Sequence, residues 1–206
     1  MKVIPSVIVA VYSLVLGGCM STVNIPENYQ ENLPESATLD VNRIGQYDSY
    51  SCATTSLAMV ISYYDKNKVI RKQDVWDASK SSVYDVTQRC GNDMNGLERA
   101  AEAYGYTSYE FVNGLSIDEL KYFVSNDTPV VVNIRNFFME SSHAVVVTGY
   151  DNENIYITDP ARAGGGKYSV SYEKFLKHWY AYLCTPRRGK YKRSAFILYK
   201  NTNSGI

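Results

Sequence analysis

One cysteine stands where its thiol could act as a nucleophile. Cys52 directly precedes residues 53–64, in which apolar residues recur at helical spacing. The cysteine therefore lies at the predicted start of an amphipathic helix, where the first backbone N–H groups have no partner within the helix. The positive end of the helix dipole favours thiolate over thiol, and thiolate is the nucleophilic form. This position gives a reason for a cysteine beyond packing.

A histidine and an aspartate are predicted to meet at one end of a β-hairpin. His143, one of only two histidines, opens an apolar run over residues 143–150, and Asp159 closes the next run, over 154–159. Both runs are rich in β-branched residues, as buried strands are. A hairpin brings the start of one strand beside the end of the other, so the two side chains can be neighbours. Together with Cys52 they would supply a nucleophile, a general base and an orienting carboxylate, provided the fold brings the three together.

The sequence around these positions resembles the bacteriocin-processing, or double-glycine, peptidases, which are papain-like cysteine peptidases. The resemblance covers roughly residues 43–180. It rests on Gln46 six positions before Cys52, the helix that follows, the run His-Ala-Val-Val-Val-Thr-Gly-Tyr-Asp from position 143, and the Asp-Pro pair at 159. It implies that Cys52 is the nucleophile, His143 the base and Asp159 its orienter. It also implies that Gln46 donates a side-chain N–H to an oxyanion hole, beside the backbone N–H of Cys52.

The resemblance further implies cleavage of a peptide bond through a thioester on Cys52, without a metal ion or organic cofactor. Substrates in the resembled family are leader peptides ending in two small residues, usually Gly-Gly. For this chain an exported peptide, an adhesin or pilin precursor and a peptidoglycan peptide are all open. One departure is Ala53 where relatives usually have glycine, and alanine fits a first helical turn without strain. Two other functions stay open: acyl transfer to an amine or thiol, as in transglutaminase-like enzymes, and an inactive peptide-binding module.

Composition is that of one globular domain without a nucleic-acid partner. The chain has 206 residues, of which 45% are hydrophobic, so it can bury one ordinary core. Its 21 basic and 21 acidic residues balance, which argues against a general nucleic-acid binder.

The N-terminus predicts export and lipidation. Residues 1–18 are mostly apolar, too short for an ordinary membrane span, and read as a signal peptide. They lead into Leu-Gly-Gly-Cys ending at Cys19, which resembles a lipobox, so that cleavage would leave Cys19 to carry lipid. The alternative is a plain secretory signal. Residues 19–42, polar and without a sustained period, then form a tether to a peptidase domain over 43–206. These features predict a lipid-anchored protein of the bacterial cell envelope, in the outer membrane where the cell has one.

Export also affects the remaining cysteines. The mature chain has Cys52, Cys90 and Cys184 besides the lipidated cysteine, an odd number in an oxidising compartment. If Cys52 stays free as a nucleophile, the remaining pair is Cys90 with Cys184, and we predict that disulfide. The alternative is three unpaired thiols.

The periodicity predicts an α+β fold of the papain-like kind, with N-terminal helices and the nucleophile helix packed on a C-terminal antiparallel sheet. A loop is expected at 79–92, and Ser116 and Glu119 form a capping box before one helix. His178 is interpreted as a partly buried surface histidine, and the basic residues of 187–193 as a solvated loop. The predicted helices are 53–64, 70–78, 97–104, one following Ser116, and 172–180; the predicted strands are 130–134, 143–150, 154–159, 167–171 and 195–199.

Overall fold

An antiparallel sheet forms the centre of the molecule. The computed structural model describes residues 25–46, 48–83, 94–138, 141–161, 166–182 and 190–200. In this part of the chain the sheet order is β2-β9-β3-β4-β5-β6, with β1 added alongside β4, and β7 and β8 form a separate two-stranded sheet. The strands are β1 Ala37–Thr38, β2 Tyr109–Val112, β3 Val130–Arg135, β4 Ser142–Tyr150, β5 Asn154–Thr158, β6 Lys167–Ser171, β7 Tyr180–Tyr182, β8 Lys190–Lys192 and β9 Ala195–Leu198.

Helices cover both faces of this sheet. Alternate residues of β4 point to opposite faces, so Val146 packs with the helices of one layer and Val147 with those of the other. The first layer holds α1, α2 and α3, and the second holds α4 and α5. The predicted α+β arrangement, with α1 packed on an antiparallel sheet, is confirmed. The helices are α1 Cys52–Tyr64, α2 Lys72–Ser79, α3 Met94–Ala103, α4 Ile117–Ser125 and α5 Tyr172–His178, and a 3₁₀ turn spans Tyr29–Asn32.

The helix α1 is more deeply buried than its amphipathic pattern predicts. Every residue from Ala53 to Ile61 is buried, because α1 lies between the sheet and the helices α2 and α3. Its buried hydroxyls are satisfied locally: Thr54 Oγ1 donates to Ser51 O at 3.2 Å, and Ser56 Oγ donates to Ala144 O of β4 at 3.2 Å. The second of these bonds ties the helix to the strand that begins next to His143.

The C-terminal elements differ from the sequence prediction. The helix predicted over 172–180 ends at His178, because Trp179 turns into the core. The Trp179 indole N–H donates to Ser194 O at 3.1 Å, and the Trp179 carbonyl accepts from Arg193 N at 2.9 Å. The short strands β1, β2, β7 and β8 are absent from the sequence prediction. The predicted Ser116 capping box is present, with both of its hydrogen bonds.

Part of the predicted tether packs against the domain. Residues 25–42 are described, and β1 pairs with the end of β4. Val41 is fully buried, and Tyr150 Oη donates to Pro34 O at 3.0 Å. Gly149 permits this approach, because a Cβ there would lie 2.8 Å from Ala37 O and 2.7 Å from Tyr156 Cδ2. Within the described ranges, no helix has the length and apolar character needed to cross a bilayer.

We expect Gly149→Ala to lower the free energy of unfolding by about 1–3 kcal/mol, because the added methyl group forces β1 and Tyr156 away from β4. Urea unfolding followed by circular dichroism measures this change. Gly45→Ala is the matched control, since its Cβ would meet only the flexible Arg43 side chain, at 3.4 Å. Equal stability of the two variants would show that β1 does not contribute to the folded domain.

Candidate active site

The nucleophile candidate lies at the exposed end of a buried helix. Cys52 is the first residue of α1 and is half-buried, and its sulfur is not in a disulfide. The first helical hydrogen bond runs from Thr55 N to Ser51 O at 2.9 Å. The N–H groups before Thr55, including that of Cys52, therefore lack helical partners and are available to an acceptor beside the sulfur.

The histidine and aspartate of the hairpin are in direct contact. His143 Nε2 lies 2.8 Å from Asp159 Oδ1, and both side chains are buried, with exposures of 5% and 1%. The imidazole also interacts with the Cys52 side chain, and this contact raises the pKa of His143. β4 begins at Ser142 and β5 ends at Thr158, and the two strands are antiparallel neighbours. His143 and Asp159 therefore lie at the same end of this strand pair. The three residues thus form a continuous chain from carboxylate to imidazole to sulfur.

The electrostatics of this chain favour an imidazolium. Burial lowers the pKa of His143, but the hydrogen bonds to Asp159 and Cys52 and the negative charges of both residues outweigh it and raise the pKa to about 10. Burial also acts to raise the pKa of Asp159, but hydrogen bonds from His143, the Ala161 N–H and Tyr168 hold it below its usual value. At neutral pH the site therefore combines a carboxylate and an imidazolium next to the Cys52 sulfur.

Three residues that the sequence did not single out hold Asp159 in place. Tyr168 Oη donates to Asp159 Oδ2 at 2.8 Å, and the Ala161 N–H donates to Oδ1 at 2.7 Å. Burial and the Asp159 charge raise the pKa of Tyr168 well above its usual value, so its hydroxyl remains a donor. Arg43 donates to three successive carbonyls: Nε to Asp159 O at 2.9 Å, and Nη2 to Pro160 O at 3.3 Å and Ala161 O at 2.9 Å. The segment after β5 is thereby fixed by side-chain and backbone donors.

Gln46 is buried and is anchored to the same segment. Its backbone N–H donates to Pro160 O at 2.8 Å, and its side-chain Nε2 donates to Asp48 O at 2.9 Å. An amide nitrogen carries two protons, so one N–H of Nε2 remains for another acceptor. The opposite amide atom, Oε1, is buried and has no hydrogen-bond partner among the described residues. The side chain is therefore held on one side only.

Asp48 organises the turn between Gln46 and Cys52. Its Oδ1 accepts from Tyr50 N at 2.9 Å and Ser51 N at 2.6 Å, and its Oδ2 accepts from Ser51 Oγ at 2.7 Å. The sequence analysis did not single out Asp48, although an aspartate that bonds to backbone N–H groups two and three residues later is a recognised turn signal. Arg43 and Tyr168 left no comparable signal, since one meets backbone carbonyls and the other is placed by strand register.

Several sequence predictions concern residues other than the catalytic candidates. Cys19, Cys90 and Cys184 lie outside the described residues, so lipidation and the predicted disulfide stay predictions. His178 is half-buried, and its Nδ1 lies 3.1 Å from Arg135 O. Of the basic run at 187–193, Lys190–Lys192 form β8 rather than a loop. Across the described ranges, no cluster of three or more His, Cys, Asp or Glu side chains is suited to hold a metal ion.

Comparison with solved structures places this geometry among papain-like peptidases. A C39-like peptidase from Bacillus anthracis superimposes with a TM-score of 0.60 and 20% identity, over 82% of this chain and 99% of that one. The peptidase domain of Streptococcus ComA gives 0.56 and 21%, over 77% and 97%. A double glycine motif protease from an AMS/PCAT transporter, solved with its leader peptide, gives 0.54 and 20%, over 80% and 95%. Comparison with curated proteins gives no match.

The sequence pattern of the Peptidase_C39 like family matches residues 38–186, which is most of the chain. The match spans the helix with Cys52, the hairpin with His143 and the residue Asp159 that follows it. The resemblance noted from the sequence is thus confirmed. The chain belongs to the Peptidase_C39 like family and is a cysteine peptidase.

Proposed function

We propose that this peptidase cleaves its substrate through a thioester on Cys52, with His143 as general acid and base and Asp159 as the residue that orients the imidazole. The observation that carries the proposal is the hydrogen-bonded chain from Asp159 Oδ1 to His143 Nε2, at 2.8 Å, and on to Cys52 at the start of α1. A nucleophile, a base and an orienter in contact are the requirements of covalent acyl transfer.

The steps follow from the charges. The Cys52 sulfur attacks the scissile carbonyl carbon, and the carbonyl electron pair moves onto its oxygen. The free N–H of Gln46 and the backbone N–H of Cys52 would stabilise this oxyanion. The His143 imidazolium then protonates the leaving amine as the peptide C–N bond breaks and the thioester forms. Neutral His143 next takes a proton from water as the water oxygen attacks the thioester carbon. The C–S bond then breaks, which releases the acid and leaves the sulfur as thiolate beside the His143 imidazolium.

The substrate class is a peptide. One similar structure is a double glycine motif protease in complex with the leader peptide, and the ComA domain belongs to a transporter active in quorum sensing. The resemblance to these proteins supports an exported peptide or precursor that ends in small residues at the cleavage site. Small residues fit a site in which the nucleophile is only half exposed.

Replacing Cys52 with alanine should abolish peptide cleavage. The sulfur is the only group proposed to form a bond with the substrate, so we expect turnover to fall by about 10⁴-fold or to the uncatalysed background. The measurement compares by mass spectrometry the envelope peptides released by wild type and by Cys52→Ala. Added hydroxylamine or an amine tests whether the thioester is intercepted, which separates hydrolysis from acyl transfer. Peptide profiles that do not differ between the two proteins would contradict the proposal.

Replacing Asp159 with asparagine should move the alkaline limb of activity to lower pH. The charge of Asp159 raises the pKa of His143, and a raised histidine pKa keeps the imidazolium present as pH rises. Without the carboxylate, His143 loses its proton at a lower pH. The alkaline limb of the pH profile of kcat/KM should therefore move to lower pH by about 1–3 units.

Tyr168→Phe is the matched control for this pH profile, because it removes one donor to Asp159 but keeps the carboxylate beside His143. Its alkaline limb should stay within about half a pH unit of wild type. An Asp159→Asn limb that coincides with the wild-type limb would show that the carboxylate does not tune the imidazole.

We also propose that the enzyme is anchored to the cell envelope by lipid on Cys19. Support comes from the apolar segment at 1–18 and the Leu-Gly-Gly-Cys sequence that ends at Cys19. A lipid chain on the new N-terminus would place the peptidase next to exported substrates.

Replacing Cys19 with alanine should remove the lipid and release the protein. We expect wild type to incorporate a radiolabelled palmitate analogue and to sediment with membranes, whereas Cys19→Ala does neither, because the acyl group has no attachment point. Cys90→Ala serves as control and should keep both properties. Equal labelling of wild type and Cys19→Ala would contradict the proposed anchor.

A further inference from the structure

We propose that Asp48 is a positioning residue that holds both donors of the oxyanion hole in register. The inference rests on the proposed function, since it assigns the hole to Gln46 and the N–H of Cys52. Asp48 lies between these two residues in sequence and contacts the segments that carry both of them.

The backbone carbonyl of Asp48 fixes the orientation of the Gln46 side-chain amide. Gln46 Nε2 donates to Asp48 O at 2.9 Å, whereas Gln46 Oε1 is buried without a partner in the described part of the chain. The Asp48 carbonyl is therefore the contact that fixes the rotation of the amide. Displacing this carbonyl would turn the second N–H of Nε2 away from the position where the oxyanion forms.

The side chain of Asp48 fixes the backbone that carries the other donor, the N–H of Cys52. Its carboxylate accepts from the N–H groups of Tyr50 and Ser51 and from Ser51 Oγ, at 2.6–2.9 Å. Ser51 is the residue before α1 and makes no side-chain cap of its own. Asp48 binds the N–H groups just before the helix rather than those of its first turn, and so fixes the backbone that leads into Cys52.

The surroundings keep this carboxylate charged and in place. Lys72 Nζ of α2 lies 3.8 Å from Asp48 Oδ2. Burial acts to raise the pKa of Asp48, but the hydrogen bonds from Ser51 and Tyr50 outweigh it and hold the pKa below its usual value. Asp48 remains an acceptor for these N–H groups throughout the neutral pH range.

The test separates oxyanion binding from thiol reactivity in the whole folded protein. Acetyl-glycyl-glycinal is the first probe: the Cys52 sulfur adds to its aldehyde carbon, the carbonyl electron pair moves to oxygen in the hole, and this oxygen takes up a proton. Iodoacetamide is the second probe: the sulfur displaces iodide from carbon, and no oxyanion forms. A residue that positions the hole affects the first reaction and not the second.

For Asp48→Ala we expect aldehyde affinity to fall by about 10- to 100-fold, a part of the loss seen when one oxyanion donor is removed. The iodoacetamide rate should stay within about twofold of wild type, which also shows that the site is folded. Asp48→Asn keeps an oxygen for the two N–H groups, so aldehyde binding should recover to within about threefold of wild type. Asp65→Ala, at the opposite end of α1, is the control and should leave both reactions unchanged.

Two results would overturn the inference. One is a parallel fall of aldehyde affinity and alkylation rate in Asp48→Ala, which would indicate a general structural role. The other is aldehyde affinity that Asp48→Ala does not change. If wild type itself is alkylated rapidly but is not protected by the aldehyde, the oxyanion hole of the proposed function fails instead, and that outcome is distinct from both.

Discussion

The active site depends on a buried imidazole that interacts with the Asp159 carboxylate and the Cys52 sulfur. Burial alone would favour neutral His143, and an unpaired charge in this position would cost several kcal/mol. The Asp159 carboxylate on one side and the Cys52 sulfur on the other reverse that preference. The contact with Asp159 also orients the ring, because it fixes Nε2 at 2.8 Å from Oδ1. Charge and orientation thus have a single cause, and neither can be altered without the other.

The partners of the imidazole are positioned by loops that bind one another. Asp159 lies just past the end of β5, and its carbonyl and the next two accept hydrogen bonds from Arg43. The N–H of Gln46 donates to Pro160 O in the same segment. The segment with Arg43 and Gln46, which leads into the turn before the nucleophile, and the segment with the orienter therefore form one hydrogen-bonded unit. The sheet and α1 carry the residues of this unit, and the hydrogen bonds between the loops fix their relative positions.

Much of this arrangement follows from local sequence. Helical spacing after Cys52 predicts α1, and the two β-branched runs predict a hairpin that brings His143 near Asp159. The residues actually opposite in the ladder are Val146 and Thr158, and a bulge lies between Val147 and Gly149. Periodicity gives the existence and direction of strands, whereas register depends on details such as this bulge. The sequence therefore indicates which residues meet, but not at what distance.

The parts that sequence could not predict have physical reasons. Arg43 acts on backbone carbonyls, which every residue possesses, so no side-chain pattern marks its targets. Gln46 is predicted from the sequence, but the incomplete hydrogen bonding of its amide is not. Leaving its Oε1 buried and unpaired lowers the free energy of unfolding by about 1–3 kcal/mol. Stability alone would therefore not favour this arrangement. Oε1 is an acceptor and cannot bind an oxyanion, so the donor reserved for the oxyanion is the second N–H of Nε2. That N–H must lack a partner in the resting enzyme, because only interactions gained in the transition state accelerate the reaction. A free N–H on this amide is therefore a condition of catalysis.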